Sequence, residues 1–195
     1  MACACQRRSA ILYSYGLNSA VFSASPRTLT LRPDRSRNTI CAGTMLKLRA
    51  YGDDDADVVL RVWWDSWHSI ESGIHHPLSI ADSRVRWNEQ IVPEQSVVVV
   101  EDSKDGVVAF AAADLLSCEL TQLFVAPARK RCGIGRMLLR WAQDQMPLGF
   151  QLKTLARNAA SRKFYERHGF EEGRALLNLI NGMDSVEYRW QASPR

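Results

Sequence analysis

Apolar and polar positions along the chain fall into short segments whose period switches between about two and about 3.6 residues. Residues 46–50 alternate as a strand. Gly52 and the acids Asp53, Asp54, Asp55 and Asp57 then open a helix, because carboxylates are favoured at the positive end of a helix dipole. Val59, Trp63, Trp67 and Ile70 share one helical face and predict a buried stripe. Ser79 or Asp82 begins a second helix through Trp87 to Val92. Residues 97–101 and 107–113 are runs rich in apolar and β-branched side chains around a turn in which Gly106 supplies positive φ, a hairpin. Residues 119–125 make the next strand, and 134–146 a helix with Ile134, Met137, Leu138 and Trp141 as its core stripe. Pro147 and Gly149 stop it. A strand over 150–155 and a helix over 158–168 follow, and strands over 170–180 and 185–190 close the chain around Asn181-Gly182. The order is β-α-α-β-β-β-α-β-α-β-β.

A chain of 195 residues with 46% hydrophobic residues can bury one substantial core. The formal charge of +4 hints at nucleic acid only until it is divided. Residues 1–44 hold six Arg against the single acid Asp34, for +5, which leaves about −1 for the rest. Nothing then argues for nucleic-acid binding. No apolar run approaches the ~18 residues of a bilayer span. Five Cys, three of them at Cys3, Cys5 and Cys41, suggest neither a disulfide framework nor a zinc site, and fit a reducing compartment.

Residues 1–44 are Ser- and Arg-rich, nearly acid-free and without a sustained apolar period. They read as an organelle transit peptide, a disordered tail, or sequence upstream of a true start at Met45, the last being favoured. Each reading sets them apart from one domain over 45–195.

The chemistry concentrates after the strand 119–125. Val125-Ala126-Pro127 leads into Arg129-Lys130-Arg131-Cys132-Gly133-Ile134-Gly135-Arg136 at a helix start. Glycines there let a ligand approach the backbone, the first helical N–H groups lack partners, and the basic side chains add charge. Phosphate is the natural guest, but a P-loop needs a different glycine spacing and Lys-Ser/Thr, and the dinucleotide fingerprint needs a Gly where Leu138 stands. A second motif, Asn158-Ala-Ala-Ser-Arg-Lys-Phe-Tyr165-Glu-Arg-His-Gly-Phe170, places Asn158 and Tyr165 two helical turns apart on one face, about 10 Å along the axis. Taken alone, Tyr165 reads as a core aromatic and Asn158 as a helix cap.

Together the two motifs resemble those of the GNAT superfamily of acyl-CoA-dependent N-acyltransferases over about 150 residues from Met45. Lys130 stands where the family usually has Gln or Arg, which keeps charge and loses fork geometry. The resemblance implies an α+β fold of α/β/α layers, whose mixed, mostly antiparallel sheet is splayed between its fourth and fifth strands. It also implies acetyl-CoA as co-substrate, with no metal. The backbone of Phe124 and Val125 would hold the pantetheine, and Lys130, Arg131, Cys132, Gly133, Ile134, Gly135 and Arg136 the pyrophosphate. Asn158 would contact the pantetheine arm, and Tyr165 would return a proton to the leaving thiolate. The acceptor, a primary amine of a small molecule or protein, would attack directly. His75 and His76, in the loop between the first two helices, would border the acceptor. Adjacent histidines diverge and complete no metal set, so loop histidines are the plain reading.

For a base, alternation puts Glu119, Thr121, Leu123 and Val125 on one strand face, where partial burial would raise a carboxylate's pKa. A solvated strand-end residue, His75, His76 or a water chain are the alternatives. Two other functions stay open: a non-catalytic acyl-CoA-binding module, and an interaction domain using the basic loop. The location implied is cytoplasmic, or an organelle if 1–44 is a transit peptide, and a homodimer stays open.

Overall fold

The computed structural model describes residues 39–41, 43–70, 76–179 and 181–192. Among the described residues eight strands form one mixed sheet in the order β1-β2-β3-β4-β5-β6-β8-β7. They are β1 (Thr39–Cys41), β2 (Thr44–Ala50), β3 (Ser96–Asp102), β4 (Gly106–Asp114), β5 (Glu119–Val125), β6 (Gly149–Leu155), β7 (Glu171–Asn178) and β8 (Met183–Gln191). Every neighbouring pair is antiparallel except β5 with β6.

Helices cover both faces. On one lie α1 (Ala56–His68) and α2 (Ile80–Arg86), where Val59, Leu60, Trp63, Trp87 and Ile91 pack on Val99, Phe110 and Ala112. On the other lie α4 (Ile134–Gln145) and α5 (Ala159–Arg167), whose Ile134, Met137, Leu138, Trp141 and Tyr165 pack with Val98, Val100, Ala109 and Ala111. Alternate residues of β3 and β4 serve opposite cores, which is why these strands read as unbroken apolar runs. Ser79 caps α2 through a reciprocal pair with Asp82, so both predicted start residues act at one terminus. Beyond Arg86 the helix continues as a π-turn at Trp87–Ile91 and a short α3 (Val92–Glu94). Pro93 lacks the N–H for an i→i−4 bond, and the wider turn lies just before it. Among the described residues no helix is long and apolar enough to cross a membrane.

The sheet does not begin at Met45. Thr44 opens β2, β1 pairs with it through Thr39↔Leu46 to Cys41↔Thr44, and the Thr44 hydroxyl donates to Asp102 Oδ2 at 2.6 Å. That bond is the largest of several influences holding the Asp102 carboxyl below its usual pKa. A chain starting at Met45 is therefore expected to keep its CoA affinity and to melt lower than the full chain, by roughly 2–4 °C for each kcal/mol lost. Equal melting temperatures would show that residues 39–44 add nothing to the fold.

Candidate active site

Parallel strands β5 and β6 pair only at Glu119↔Gln151 and Leu120↔Leu152, and then part into a wedge. One residue in β5 is out of step. Ala113 pairs with Leu120 and Ala112 with Gln122, so Thr121 is an extra residue, its hydroxyl shared between Ala112 O at 3.1 Å and Gln95 Oε1 at 2.5 Å. Past this bulge the Ala126 N–H donates to Val108 O at 2.8 Å. Alternation in an antiparallel ladder then turns the Phe124 backbone toward β4 and those of Leu123 and Val125 into the wedge. The Val125 carbonyl already accepts from Ser66 of α1 at 2.8 Å. Adjacent residues cannot both face the gap, so the expected Phe124 and Val125 pair becomes Leu123 and Val125, while the Phe124 ring stacks on Phe110.

At the open end of β5 the chain makes a turn at Pro127–Arg129 and takes positive φ at Arg131 (69°) and Gly133 (76°) before α4 starts. The Met137 N–H makes the first helical bond, to Gly133 O at 3.0 Å. Ahead of it the N–H groups of Ile134, Gly135 and Arg136 are left for a guest, with Arg131 and Arg136 exposed beside them. The other basic residues are engaged elsewhere. Arg129 pairs with Asp105 and, at 3.2 Å, with the buried Asp102, so it braces the β3–β4 hairpin. Lys130 donates to Ser69 Oγ at the end of α1 at 2.8 Å, and burial pulls its pKa down. Cys132 and Ile134 turn toward the core. Gly135 abuts α5, since a Cβ there would lie 3.1 Å from the Phe164 ring.

On α5, Asn158 Oδ1 caps the helix by accepting from the Ser161 N–H at 3.1 Å. Tyr165 is 7% exposed among Phe164, Phe170 and Tyr188, and burial pushes its phenol well above the usual pKa, so it stays protonated at neutral pH. Sequence reasoning missed Tyr188, a fully buried phenol on β8 that donates to Glu166 Oε1 at 2.8 Å and accepts from Arg162 Nε at 3.2 Å. Through these bonds β8 anchors α5 from below.

Glu119 stands at the apex of the wedge, not along its open edge. Because the bulge shifts the alternation, its companions are Gln122 and Phe124 on the α1 face, and Leu123 and Val125 lie on the α4 face. The expected grouping of Glu119 with Thr121, Leu123 and Val125 is corrected accordingly. Its carboxylate is paired with Lys153 Nζ at 2.9 Å.

His75 lies outside the described residues. His76 packs edge-on against Trp63 and Trp67, with ring centroids 4.8 and 4.7 Å away, and burial lowers its pKa. Its Nδ1 accepts from the Leu78 N–H at 3.1 Å. With Nδ1 accepting, the neutral ring carries its proton on Nε2. Trp67 spans the wedge by packing on Leu155 of β6 and Phe124 of β5. Among the described residues no group of three His, Cys, Asp or Glu could hold a metal.

Residues 93–172 match the family model of the acetyltransferase (GNAT) domain. No curated protein sequence matches the chain. Solved structures of the same fold include the PaiA N-acetyltransferase of Thermoplasma acidophilum in complex with coenzyme A, at 18% identity and TM-score 0.57, covering 75% of this chain and 99% of that one. YncA of Salmonella typhimurium, with its cofactor acetyl-CoA, aligns at 16% identity and TM-score 0.56 over 77% and 95%. The ribosomal-protein-S18-alanine N-acetyltransferase of Escherichia coli aligns at 19% identity and TM-score 0.56 over 77% and 96%. Residues 93–172 are thus similar to the acetyltransferase (GNAT) domain, and the chain shares the fold of these solved structures.

Proposed function

We propose that the protein transfers an acetyl group from acetyl-CoA to a primary amine of a small molecule or protein by direct attack, in a cytoplasmic or organellar setting. The observation that carries this reading is the divergence of β5 from β6 beyond Leu120 and Leu152, which leaves the Leu123 and Val125 backbone facing a gap, together with the α4 start whose N–H groups at 134–136 precede the first helical bond. Two relatives of the same fold are described with coenzyme A or acetyl-CoA, which supports the same guest here.

The donor supplies a thioester carbonyl that an amine can attack. Backbone N–H groups of Ile134, Gly135 and Arg136, with the Arg131 and Arg136 side chains, would neutralise the pyrophosphate, while Leu123 and Val125 would align the arm. An alkyl ammonium has pKa ~10.4, so only about one molecule in a thousand is nucleophilic at pH 7. Glu119, directly or through water, takes the ammonium proton, and the Tyr165 hydroxyl gives its proton to the departing sulfur. Helices α4 and α5 lie on one sheet face and the Glu119 side chain on the other, so acid and base approach the apex from opposite sides.

Two assays test this. Acetyl-CoA is expected to raise the melting temperature in a titration, and free thiol is expected to appear with at least one member of a panel of n-butylamine, phenethylamine, spermidine and an alanyl peptide. Stabilisation without thiol would mean a binding module, and no stabilisation would leave only an interaction domain.

A further inference from the structure

The apex of the wedge carries an ion pair that neither the phosphate loop nor Tyr165 requires. Leu120 and Leu152 are the last paired row between β5 and β6, so Lys153 stands in the first row beyond them, on the face that carries Glu119. Its ammonium lies 2.9 and 3.1 Å from the two Glu119 carboxylate oxygens, with the side chains 36% and 18% exposed. Across the β6–β8 ladder its direct partner is Glu187. Residues opposed on one face of a ladder have Cβ atoms about 5 Å apart, within reach of a lysine side chain.

Glu187 is unusual in its own right. Its side chain is 1% exposed, and Oε1 is held by Arg189 at 2.7 and 2.8 Å. Oε2 is buried without a hydrogen-bond donor and forms only a long ion contact with the Arg174 guanidinium at 3.5 Å. A buried carboxylate oxygen left in this way is costly and calls for a partner. Ion pairs as exposed as Lys153 with Glu119 are weak, so moving the ammonium from one carboxylate to the other needs little driving force.

Resting on the transferase reading above, we infer that Lys153 is a displaceable stand-in for the acceptor ammonium. It neutralises Glu119 until the acceptor arrives, then yields that carboxylate to the incoming ammonium and moves to the buried Glu187 oxygen that lacks a hydrogen-bond donor. Lys153 is thus a positioning residue that sets acceptor affinity, and the site selects acceptors that present a cationic amine. Only hydrogen bonds and ion contacts change in this exchange.

The test uses the full chain, saturating acetyl-CoA and the fastest acceptor of the panel above. Lys153→Met, which removes the competitor, is expected to lower the acceptor KM by about threefold or more with kcat within about twofold, and Lys153→Arg to restore the KM. Glu187→Gln removes the second seat and is expected to raise the KM. In a Glu119→Gln background the Lys153→Met effect is expected to vanish. A KM that is unchanged or raised in Lys153→Met, or a fall that persists without the Glu119 charge, overturns the inference while leaving the transferase reading intact. A wild-type chain that releases no thiol with any amine overturns both.

Discussion

Gly135→Asp is expected to abolish CoA binding. The residue lies inside the run of unpaired N–H groups that opens α4, where a carboxylate would take the place of the phosphate and hold it off by charge. The structure adds a second cause. A Cβ at this position would lie 3.1 Å from the Phe164 ring, so the loop and α5 would have to part before any charge effect is counted. Gly135→Ala separates the two contributions, because it adds the contact without the charge and is expected to weaken CoA binding only partly. Calorimetric titration with CoA measures both variants. An unchanged affinity in Gly135→Asp would remove the loop from the binding site.

Tyr165→Phe is expected to cut turnover tenfold or more with CoA affinity retained, on the order of the lower end for loss of a general acid. The substitution keeps the ring, and with it the contacts to Phe170 and Tyr188 that seat α5 in the core. What is lost is one hydroxyl proton, which burial keeps in place by raising the phenol pKa. Steady-state thiol release and CoA titration on the same preparation separate the two readouts. Turnover equal to wild type would assign protonation of the sulfur to water.

Much of this architecture is legible in the sequence, for identifiable reasons. Helices α1 and α4 announce themselves by Val59, Trp63 and Trp67 and by Ile134, Met137, Leu138 and Trp141, because a helix with one buried face must repeat its apolar residues at about 3.6. The β3–β4 hairpin is marked by Gly106, whose φ of 73° few other residues adopt at low cost. The bulge at Thr121 leaves no comparable mark. It depends on how β4 and β5 register, a long-range property, and one extra residue reverses which side chains share a face. Strict alternation from Glu119 therefore points to Thr121, Leu123 and Val125, whereas the folded strand sets Gln122 and Phe124 beside it.

The same limit applies to charge. Arg129, Lys130, Arg131 and Arg136 look alike along the chain, yet only the fold shows that Arg129 is held by Asp102 and Asp105 and that Lys130 reaches Ser69. Lys153 and Glu187 carry no motif at all. Lys153 becomes a neighbour of Glu119, and Glu187 of Lys153, because parallel pairing of β5 with β6 and antiparallel pairing of β6 with β8 bring three separate segments together.

On the proposed reading the acetyl group passes directly to an amine at the wedge apex. This transfer is tested most directly by supplying acetyl-CoA labelled in its acetyl carbonyl together with the fastest acceptor of the panel, then following the label by mass spectrometry. The label is expected in an amide on the amine nitrogen, appearing in step with free thiol and never on the protein. Thiol release without a labelled amide, or label that first accumulates on a protein side chain, would contradict direct transfer.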